Sequence, residues 1–447
     1  MTSGTDRRDF LKWSAAAGLG AAALSACSKE TYLGAGPRQP YRDDPIDEVR
    51  VGIVGVGGMG SAHAGHYLKV PGCRIVAVCD LKESRVARIQ DWTEAAGFPR
   101  PRGYSRGPTD YERLCGEEDL DLVFTATPWN LHVPICVEAM KAGKHAATEV
   151  PAAVTMDECW ELVEAAEGTR RHCQMMENVC YGRSEMMVLN MVRKGLLGEL
   201  LNAQCGYLHD LRGVKYDMNG EGVWRREHSV LRDGNLYPTH GLGPVAQCMN
   251  INRGDRFTRI VSMSSPSRGL QEYRDRTRKT GDPLRDEEFR LGDVNTSIIQ
   301  TAKGRTITVI HDTNLPRPYS RVNLVQGTKG LVEGFPDRIH IEGRSPGHGW
   351  EKFDGYREEF EHPLWRADET QELTGGHGGM DRLEVSRLVH CLRGGLPTEQ
   401  DVYDAAAWSA VGPLSEASVA AQGEVQDFPD FTRGRWRTWP ALAIVGA

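Results

Sequence analysis

A glycine-rich turn near the start of the chain has the residue types needed to bind a dinucleotide. The apolar run V-R-V-G-I-V over residues 49–54 predicts a buried strand, and Gly55, Gly57 and Gly60 follow it as G-x-G-x-x-G before a helix-like segment. Such glycines permit a tight turn and a close approach of the backbone to a pyrophosphate, which the helix N-terminus then binds. A second predicted strand ends in Asp80, whose carboxylate can accept from ribose hydroxyls and would repel a 2′-phosphate. The pattern predicts an NAD site and favours NAD over NADP; in the alternative interpretation, Asp80 merely caps the next helix.

The composition limits the function classes. A length of 447 residues predicts two domains plus extensions. A net charge of −7, without a basic cluster, argues against a nucleic-acid partner. The eleven cysteines include no C-x-x-C pair and no other paired metal spacing, so we expect buried thiols and no metal site.

The N-terminal segment resembles a twin-arginine export signal. Arg7 and Arg8 precede Phe-Leu-Lys and a short segment rich in alanine and glycine, which is too short for a stable membrane span. Leu-Ser-Ala-Cys ending at Cys27 also resembles a lipoprotein processing site, and the alternative is a chance cysteine near an ordinary cleavage site. We therefore expect a signal over residues 1–27, a linker over 28–47, and a periplasmic or lipid-anchored protein in the cell envelope that is exported already folded.

Alternating strand and helix signals over residues 48–178 predict an α/β Rossmann domain with a doubly wound parallel sheet. Ligands bind outside the carboxyl ends of such strands, where residues 127–132, Glu149 and Asn178 are expected. Strand-like alternation then dominates residues 179–447 and predicts an α+β domain with an open antiparallel sheet. Helices predicted near 379–392 and over 402–421 are expected to pack back on the first domain.

These motifs resemble the Gfo/Idh/MocA oxidoreductase superfamily, which joins a Rossmann domain to an open antiparallel sheet. Residues 127–132, T-P-W-N-L-H, match its T-P-x-x-x-H turn. The next motif of the superfamily is E-K-P, whose lysine assists hydride transfer, but residues 149–151 are E-V-P. The absence of this lysine, at Val150, argues against a simple sugar dehydrogenase.

The closer resemblance is to glycoside hydrolase family 109, the NAD-dependent α-N-acetylgalactosaminidases. It is carried by T-E-V-P-A-A at 148–153, E-N-V-C-Y-G-R at 177–183, G-Y-L-H-D-L-R at 206–212, W-R at 224–225 and G-N-L-Y-P-T-H-G-L-G-P at 234–244, and extends over nearly the whole chain from residue 49. The resemblance implies that NAD is the cofactor and that the substrate is a small molecule or glycan bearing N-acetylgalactosamine. We also expect a homo-oligomer.

The same resemblance implies the site residues. The cofactor site, together with the glycines of the turn, would comprise Met59, Gly60, Asp80, Trp129, Asn130, Leu131, His132, Glu149, Val150 and Asn178. The substrate site would comprise Tyr207, Arg225, Tyr237, Pro238, Thr239, His240 and Tyr319. The catalytic candidates are His240, Tyr237 and Tyr207.

Most glycosidases use two carboxylates, but no such pair stands out here, and NAD-dependent families are exceptions. The resemblance implies transient oxidation of the sugar at C3, proton loss at C2, elimination at C1 and addition of water. A base that is partly neutral near pH 7 is needed at C2, and His240 is the natural candidate. Spacing alone favours an ordinary buried, hydrogen-bonded role for His240 and core positions for the tyrosines, and only the family resemblance favours the site roles.

Two other classes compete with this hypothesis. A conventional NAD-dependent sugar oxidoreductase of the same superfamily would accumulate NADH with sugar, whereas the glycosidase would cleave without accumulating it. A non-catalytic sugar-binding protein would bind sugar without turnover. Fold alone cannot decide between these classes, because one fold hosts many functions.

The signal can be tested directly. Changing Arg7→Lys together with Arg8→Lys should block export and leave precursor in the cytoplasm, as fractionation would show. The linker variant Arg38→Lys with Arg42→Lys is the matched control and should be exported normally. Normal export of the first variant would contradict the twin-arginine interpretation.

Overall fold

The computed structural model describes residues 43–366, 376–442 and 444. The predicted signal, Cys27 and most of the predicted linker lie outside the described residues. Among the described residues, no helix is long and apolar enough to cross a membrane.

Six parallel strands form the first sheet, in the order β3-β2-β1-β4-β5-β6. The strands are β1 Val49–Val54, β2 Cys73–Cys79, β3 Arg102–Tyr104, β4 Leu122–Thr125, β5 His145–Thr148 and β6 Cys173–Met175. The helices between them are Gly58–Tyr67, Glu83–Ala95, Asp110–Glu117, His132–Lys141 and Met156–Thr169. The strand order reverses between β1 and β4, which creates the crevice where such sheets bind ligands. The predicted doubly wound α/β sheet is confirmed.

A nine-stranded sheet forms most of the remaining chain, in the order β14-β13-β12-β11-β7-β10-β9-β8-β15. Its strands are β7 Leu200–Leu208, β8 Phe257–Ser264, β9 Val294–Thr301, β10 Thr306–Asp312, β11 Leu324–Gly327, β12 Gly330–Glu333, β13 Arg338–Ile341, β14 Glu351–Lys352 and β15 Gln426–Asp427. The α-helices after the first sheet are Arg183–Arg193, Arg212–Lys215, Gly222–Leu231, Thr239–Cys248, Gly269–Thr277, Arg357–Phe360, Pro363–Arg366, Met380–Arg393, Val402–Ser409 and Val411–Ala420. The predicted α+β architecture is confirmed.

Two details differ from the sequence-based expectation. The sheet is mixed, because β7 and β10 pair in parallel although their other neighbours are antiparallel. The single helix expected over 402–421 is two helices that meet at Ala410. Pro413 lies in the first turn of the second helix, where it cannot donate the hydrogen bond that would continue the first one.

The late helices pack against the first sheet. Helix Met380–Arg393 contacts helix Gly58–Tyr67 and β1, and helix Val402–Ser409 contacts helix Met156–Thr169 and β6. Between these two late helices, the Gln400 amide donates to the Glu177 carbonyl (3.0 Å) and accepts from the Glu177 backbone N–H (2.9 Å). This pair of hydrogen bonds fixes the backbone just beyond β6.

A buried ion pair holds the late helices to the second sheet domain, and this yields a stability prediction. Arg253 is bound by Asp401 (3.0 Å) and Asp404 (2.7 Å), and all three side chains are almost fully buried. Arg253→Met would leave two buried carboxylates without their cation and should lower the free energy of unfolding by about 3–5 kcal/mol. Chemical denaturation of the mature protein measures this.

The matched control is Arg100→Met. Arg100 also pairs with two acids, Asp91 and Glu94, but on the exposed surface. Its loss should change stability by less than about 1 kcal/mol, since exposed ion pairs contribute little. Equal effects of the two variants would contradict the buried-pair account.

Candidate active site

A cavity of about 480 Å³ lies at the carboxyl ends of the parallel strands. One wall is the glycine turn with the ends of β2, β4 and β5. The opposite wall comes from the second domain and comprises Met218, Asn219, Gly220, Glu221, Val223, Trp224, Arg225 and Tyr237. We call it the dinucleotide cavity, because it lies in the crevice where sheets of this topology bind such ligands and is lined by the loops that follow several strands.

The glycine turn has no room for side chains at two positions. Gly55 has φ +82°, and a Cβ there would lie 2.8 Å from Thr127 Cγ2 and 2.9 Å from the Ala126 carbonyl oxygen. A Cβ on Gly60 would overlap the carbonyl oxygen of Gly55. At Gly58, by contrast, no described atom lies within 4 Å of the Cβ position. The turn is therefore closed on its inner side and open where phosphates would approach the amides.

Asp80 is held at the end of β2 with its carboxylate against this turn. One oxygen accepts from the Val56 backbone N–H (3.0 Å) and the other from the Lys82 backbone N–H (2.9 Å). The Arg85 guanidinium lies 3.6 Å from the first oxygen. These bonds fix the carboxylate along the cavity while leaving it acceptor capacity for ribose hydroxyls.

The far end of the cavity contains a second fixed carboxylate. Glu149 accepts from His63 Nε2 (2.6 Å) and from the Val150 backbone N–H (3.2 Å). Burial raises the pKa of Glu149, but the hydrogen bond and charge of His63 outweigh it and leave that pKa below its usual value. Val150 adds only an apolar surface, so this position supplies no lysine ammonium beside Glu149.

Asn178 offers a buried acceptor near this end. Its amide nitrogen donates to Asp381 (2.6 Å), while its oxygen has no hydrogen-bond partner among the described residues. An amide or hydroxyl donor of a ligand would satisfy such an oxygen. Together with the glycine turn and Asp80, this arrangement fits a dinucleotide.

Most predicted cofactor residues lie around the cavity. Its lining includes Gly55, Gly57, Met59, Asp80, Trp129, Leu131, His132, Glu149 and Val150. Gly60 supports the turn from behind and Asn178 lies buried outside the lining, whereas Asn130 is exposed on the surface. Their individual roles in cofactor binding stay predictions.

Aromatic rings continue from the cavity into the second domain. Trp129 stacks on Tyr237 with ring centroids 5.4 Å apart, and Tyr237 contacts Tyr207 at 4.7 Å. Tyr319 lies edge-on to Tyr207 at 6.1 Å, and the Tyr207 hydroxyl is hydrogen-bonded to His209 Nδ1 (2.9 Å). Burial raises the pKa of both Tyr207 and Tyr237, so these phenols are neutral donors at pH 7 rather than bases.

Arg225 is a fixed cation within these rings. Its guanidinium carbon lies 4.9 Å from the ring centroids of Trp129 and Trp224 and 5.3 Å from that of Tyr237. Glu221, one helical turn earlier, accepts from its Nε (2.8 Å). Cation–π contacts and the ion pair together hold the charge at the cavity wall.

His240 and Glu177 form a hydrogen-bonded pair beside the aromatic rings. His240 Nδ1 donates to Glu177 Oε1 over 2.7 Å, and the Glu177 side chain is fully buried. A neutral imidazole that donates its Nδ1 proton to this carboxylate has an acceptor lone pair at Nε2. The imidazole lies 5.0 Å from Tyr237 and 5.4 Å from Tyr207, between ring centroids.

Close packing sets the position of His240. It lies in the first turn of helix Thr239–Cys248, which Pro238 precedes, and both Pro238 and Thr239 are buried. A Cβ on Gly241 would overlap the backbone of Gly206 in β7, and one on Gly243 would lie 3.0 Å from Glu177 Cγ. The glycines thus let this helix reach both the strand of Tyr207 and the carboxylate of Glu177.

The structure therefore brings the predicted substrate residues together. Arg225 and Tyr237 line the cavity, Tyr207, His240 and Tyr319 continue from it, and Pro238 and Thr239 support the turn. Glu177, Glu221 and His63 were not among the predicted site residues. Glu221 could have been found from its i,i+4 spacing to Arg225, and Glu177 from its place at a strand end, but no local signal marks His63.

The first part of the described chain is similar to NAD-binding oxidoreductases. Residues 49–177 match the oxidoreductase family with an NAD-binding Rossmann fold. Levoglucosan dehydrogenase, solved in complex with NADH and levoglucosan, superimposes with a TM-score of 0.68 at 20% identity, covering 86% of this chain and all of that chain. Myo-inositol 2-dehydrogenase from Lactobacillus plantarum gives a TM-score of 0.62 at 16% identity over the same share of each. The fold is that of the Gfo/Idh/MocA oxidoreductases, and the cofactor is NAD.

The particular family follows from the second half of the chain. Residues 181–438 match the C-terminal domain of glycosyl hydrolase 109. A glycosyl hydrolase family 109 protein of Shewanella amazonensis is 49% identical over 99% of this chain and all of its own length. One from Solibacter usitatus is 48% identical over 97% of this chain and 98% of its own. The chain belongs to glycosyl hydrolase family 109.

Residues 4–23 match the twin-arginine translocation pathway signal sequence, which supports the predicted export route.

The cofactor site yields a binding prediction. Asp80→Ala removes the acceptor for the ribose and should weaken NAD binding by about 1–3 kcal/mol, roughly 5- to 150-fold in Kd. Titration of NAD into protein stripped of nucleotide measures this change. The matched control is Asp91→Ala, on the exposed face of the next helix, which should leave the Kd unchanged. An unchanged Kd for Asp80→Ala would remove this carboxylate from the site.

Proposed function

We propose that the protein hydrolyses terminal α-N-acetylgalactosaminides by transient oxidation of the sugar at C3. The observation that carries this proposal is the hydrogen-bonded His240–Glu177 pair, whose imidazole lies 5.0 Å, between ring centroids, from Tyr237 in the cavity lining. Val150 supports it as well, since a dehydrogenase of this superfamily would have a lysine there. Membership of glycosyl hydrolase family 109 supports hydrolysis as the overall reaction.

The glycine turn, Asp80 and the Glu149 end of the cavity would hold NAD, which would supply a reversible hydride acceptor for C3 of the sugar while the proton of the C3 hydroxyl passes to solvent. The resulting C3 ketone makes the neighbouring C2 proton acidic, and His240 Nε2 takes that proton. The C1–O bond then breaks by elimination, water adds its hydroxyl group to C1, and the remaining proton of that water neutralises the departed alkoxide. His240 returns the proton to C2, and the C3 ketone regains its hydride on carbon and a solvent proton on oxygen, so the sum is hydrolysis with no net oxidation.

The other residues of the site stabilise the charge that develops on the sugar and orient the sugar and the imidazole. Deprotonation at C2 moves negative charge onto the C3 oxygen, and the fixed guanidinium of Arg225 supplies positive charge at the cavity wall. Tyr207 and Tyr237 donate hydrogen bonds to sugar oxygens, because their raised pKa values keep them protonated. Glu177 orients the imidazole and stabilises it when it carries the extra proton. Tyr319, at the partly exposed edge, contacts the sugar or its aglycone.

The competing function is an NAD-dependent sugar oxidoreductase of the Gfo/Idh/MocA type. The solved dehydrogenases share the fold at no more than 20% identity, which carries no argument about substrate. Incubation of the holoprotein with N-acetylgalactosamine would accumulate NADH absorbance in the oxidoreductase, but not in the glycosidase.

We further infer that the mature protein acts in the periplasm or anchored to the cell envelope. The twin-arginine match supports export, and a cofactor that is regenerated in each cycle suits a protein that carries its NAD out of the cytoplasm. Lipidation at Cys27 and assembly into a homo-oligomer stay predictions.

Heavy water tests the mechanism. Hydrolysis of a nitrophenyl α-N-acetylgalactosaminide in heavy water should place deuterium at C2 of the released sugar, because C2 loses and regains a proton. Mass spectrometry and NMR of the product measure it. A direct displacement at C1 leaves C2 untouched, so product without deuterium at C2 would overturn the mechanism.

Variants assign the base in the same assay. His240→Ala should lower turnover by on the order of 10²–10⁴, the range of a lost general base, while NAD stays bound. Glu177→Gln is the paired variant and should lower turnover less, because the imidazole remains. Wild-type turnover in His240→Ala would move the base role to another residue.

A further inference from the structure

Glu384 is a buried carboxyl group that the reaction described above does not use. It lies on helix Met380–Arg393, where that helix packs against helix Gly58–Tyr67, and its exposed fraction is 0%. Neither of its carboxyl oxygens has a hydrogen-bond partner in the part of the chain that the structure describes. An isolated ionised carboxylate in such a place is strongly unfavourable, because it loses its hydration without gaining a partner.

The charges of three other carboxylates act on Glu384, and each of these three is held by an imidazole. Glu149 accepts from His63 (2.6 Å), Glu177 from His240 (2.7 Å) and Asp381 from His377 (2.9 Å). Burial raises the pKa of Glu384 well above its usual value, and the charges of Glu149, Asp381 and Glu177 raise it further. Among the described residues, Glu149, Glu177 and Asp381 each have a donor that stabilises the charged carboxylate, whereas Glu384 has none.

The remaining titratable neighbours do not offset this charge. Tyr67, Cys180 and Tyr181 are buried, and burial together with the charge of Glu384 or its neighbours raises their pKa values. The titratable groups that interact with the charge of Glu384 are thus Tyr67 from helix Gly58–Tyr67, Glu149 and Glu177 from the strand ends, Cys180 and Tyr181 from the turn after β6, and Asp381 from its own helix. None of the described neighbours is a lysine or arginine paired with Glu384.

We propose that Glu384 is a positioning residue that stays a neutral carboxylic acid at pH 7 and thereby confines the negative charge of this cluster to Glu149, Glu177 and Asp381. A fourth negative charge would favour the imidazolium form of the nearby histidines. His240 would then keep a proton on Nε2 and lose the lone pair that removes the C2 proton. The consequence for His240 rests on the proposed function, whereas the protonation of Glu384 does not.

Infrared spectroscopy of the mature holoprotein at pH 7 tests the protonation state without substrate. The difference spectrum between the wild type and Glu384→Gln should contain one carbonyl-stretching band of a protonated carboxylic acid, which the variant loses. Glu399→Gln is the matched control. Glu399 is also buried and follows the same helix, but it accepts from Arg387 Nε (3.0 Å) and Tyr181 (2.9 Å) and is expected to be ionised. Its difference spectrum should contain a carboxylate band instead.

The pH dependence of stability gives a second measurement. The unfolded chain releases the Glu384 proton near pH 4.3, about the reference value, whereas the native state retains it to much higher pH. Between these two values the native state binds more protons, so rising pH destabilises the wild type relative to Glu384→Gln. The denaturation midpoint of Glu384→Gln minus that of the wild type should therefore increase from pH 5 to pH 8.

Loss of a carboxylate band rather than a carboxylic-acid band in Glu384→Gln would overturn the proposal, as would a midpoint difference that does not grow with pH. Both measurements are independent of turnover. Failure of the heavy-water experiment would thus remove the glycosidase mechanism and leave the assignment of Glu384 standing, and the reverse also holds.

Discussion

The hydrogen bond between Glu177 and His240 is the interaction on which the rest of the site depends, because it joins the two halves of the chain at the reacting end. Glu177 follows the last strand of the parallel sheet, and His240 begins a helix that packs on the first strand of the second sheet. Gln400 fixes the backbone of Glu177 from a third segment. The imidazole of His240, the proposed base, therefore has a defined position only when both sheets and the late helices are assembled.

The charged side chains around this pair each have a close partner that stabilises the charge. Glu149, Glu177 and Asp381 each have an imidazole, and Arg225 has Glu221 and three aromatic faces. Such pairing is what makes buried ions tolerable, since the desolvation cost is offset only by close partners. The same rule accounts for the different protonation state inferred for Glu384, which has no such partner among the described residues.

A small number of residues distinguishes this protein from dehydrogenases of the same fold. The glycine turn and Asp80 meet the requirements of a dinucleotide, whereas the superfamily lysine is replaced by the apolar Val150. In the proposed mechanism, proton transfer is supplied from the second domain by the imidazole of His240, which lies beside the rings of Tyr237 and Tyr207. A shared Rossmann domain thus does not fix the chemistry, because the second domain provides the groups that distinguish the reactions.

The sequence by itself determined the features that depend on local geometry. Only glycine tolerates φ +82° at Gly55 and the close contact at Gly60, so the turn, its strand and Asp80 could be predicted together. Alternation of strand and helix determined the parallel sheet. The likeness of local motifs indicated the site residues of the second domain and their family, but not their contacts.

Only the tertiary structure decided which distant groups meet. His63 and Glu149 are 86 residues apart, and Glu177 and His240 are 63 apart, so no local pattern marks either pair. The parallel pairing of β7 with β10 and the break at Ala410 likewise follow from packing and from Pro413, not from hydrophobic periodicity. Hydrogen bonds and charges act over a few ångströms in space, whereas the sequence pattern records neighbours along the chain; this is why the glycine turn was predictable and the environment of Glu384 was not.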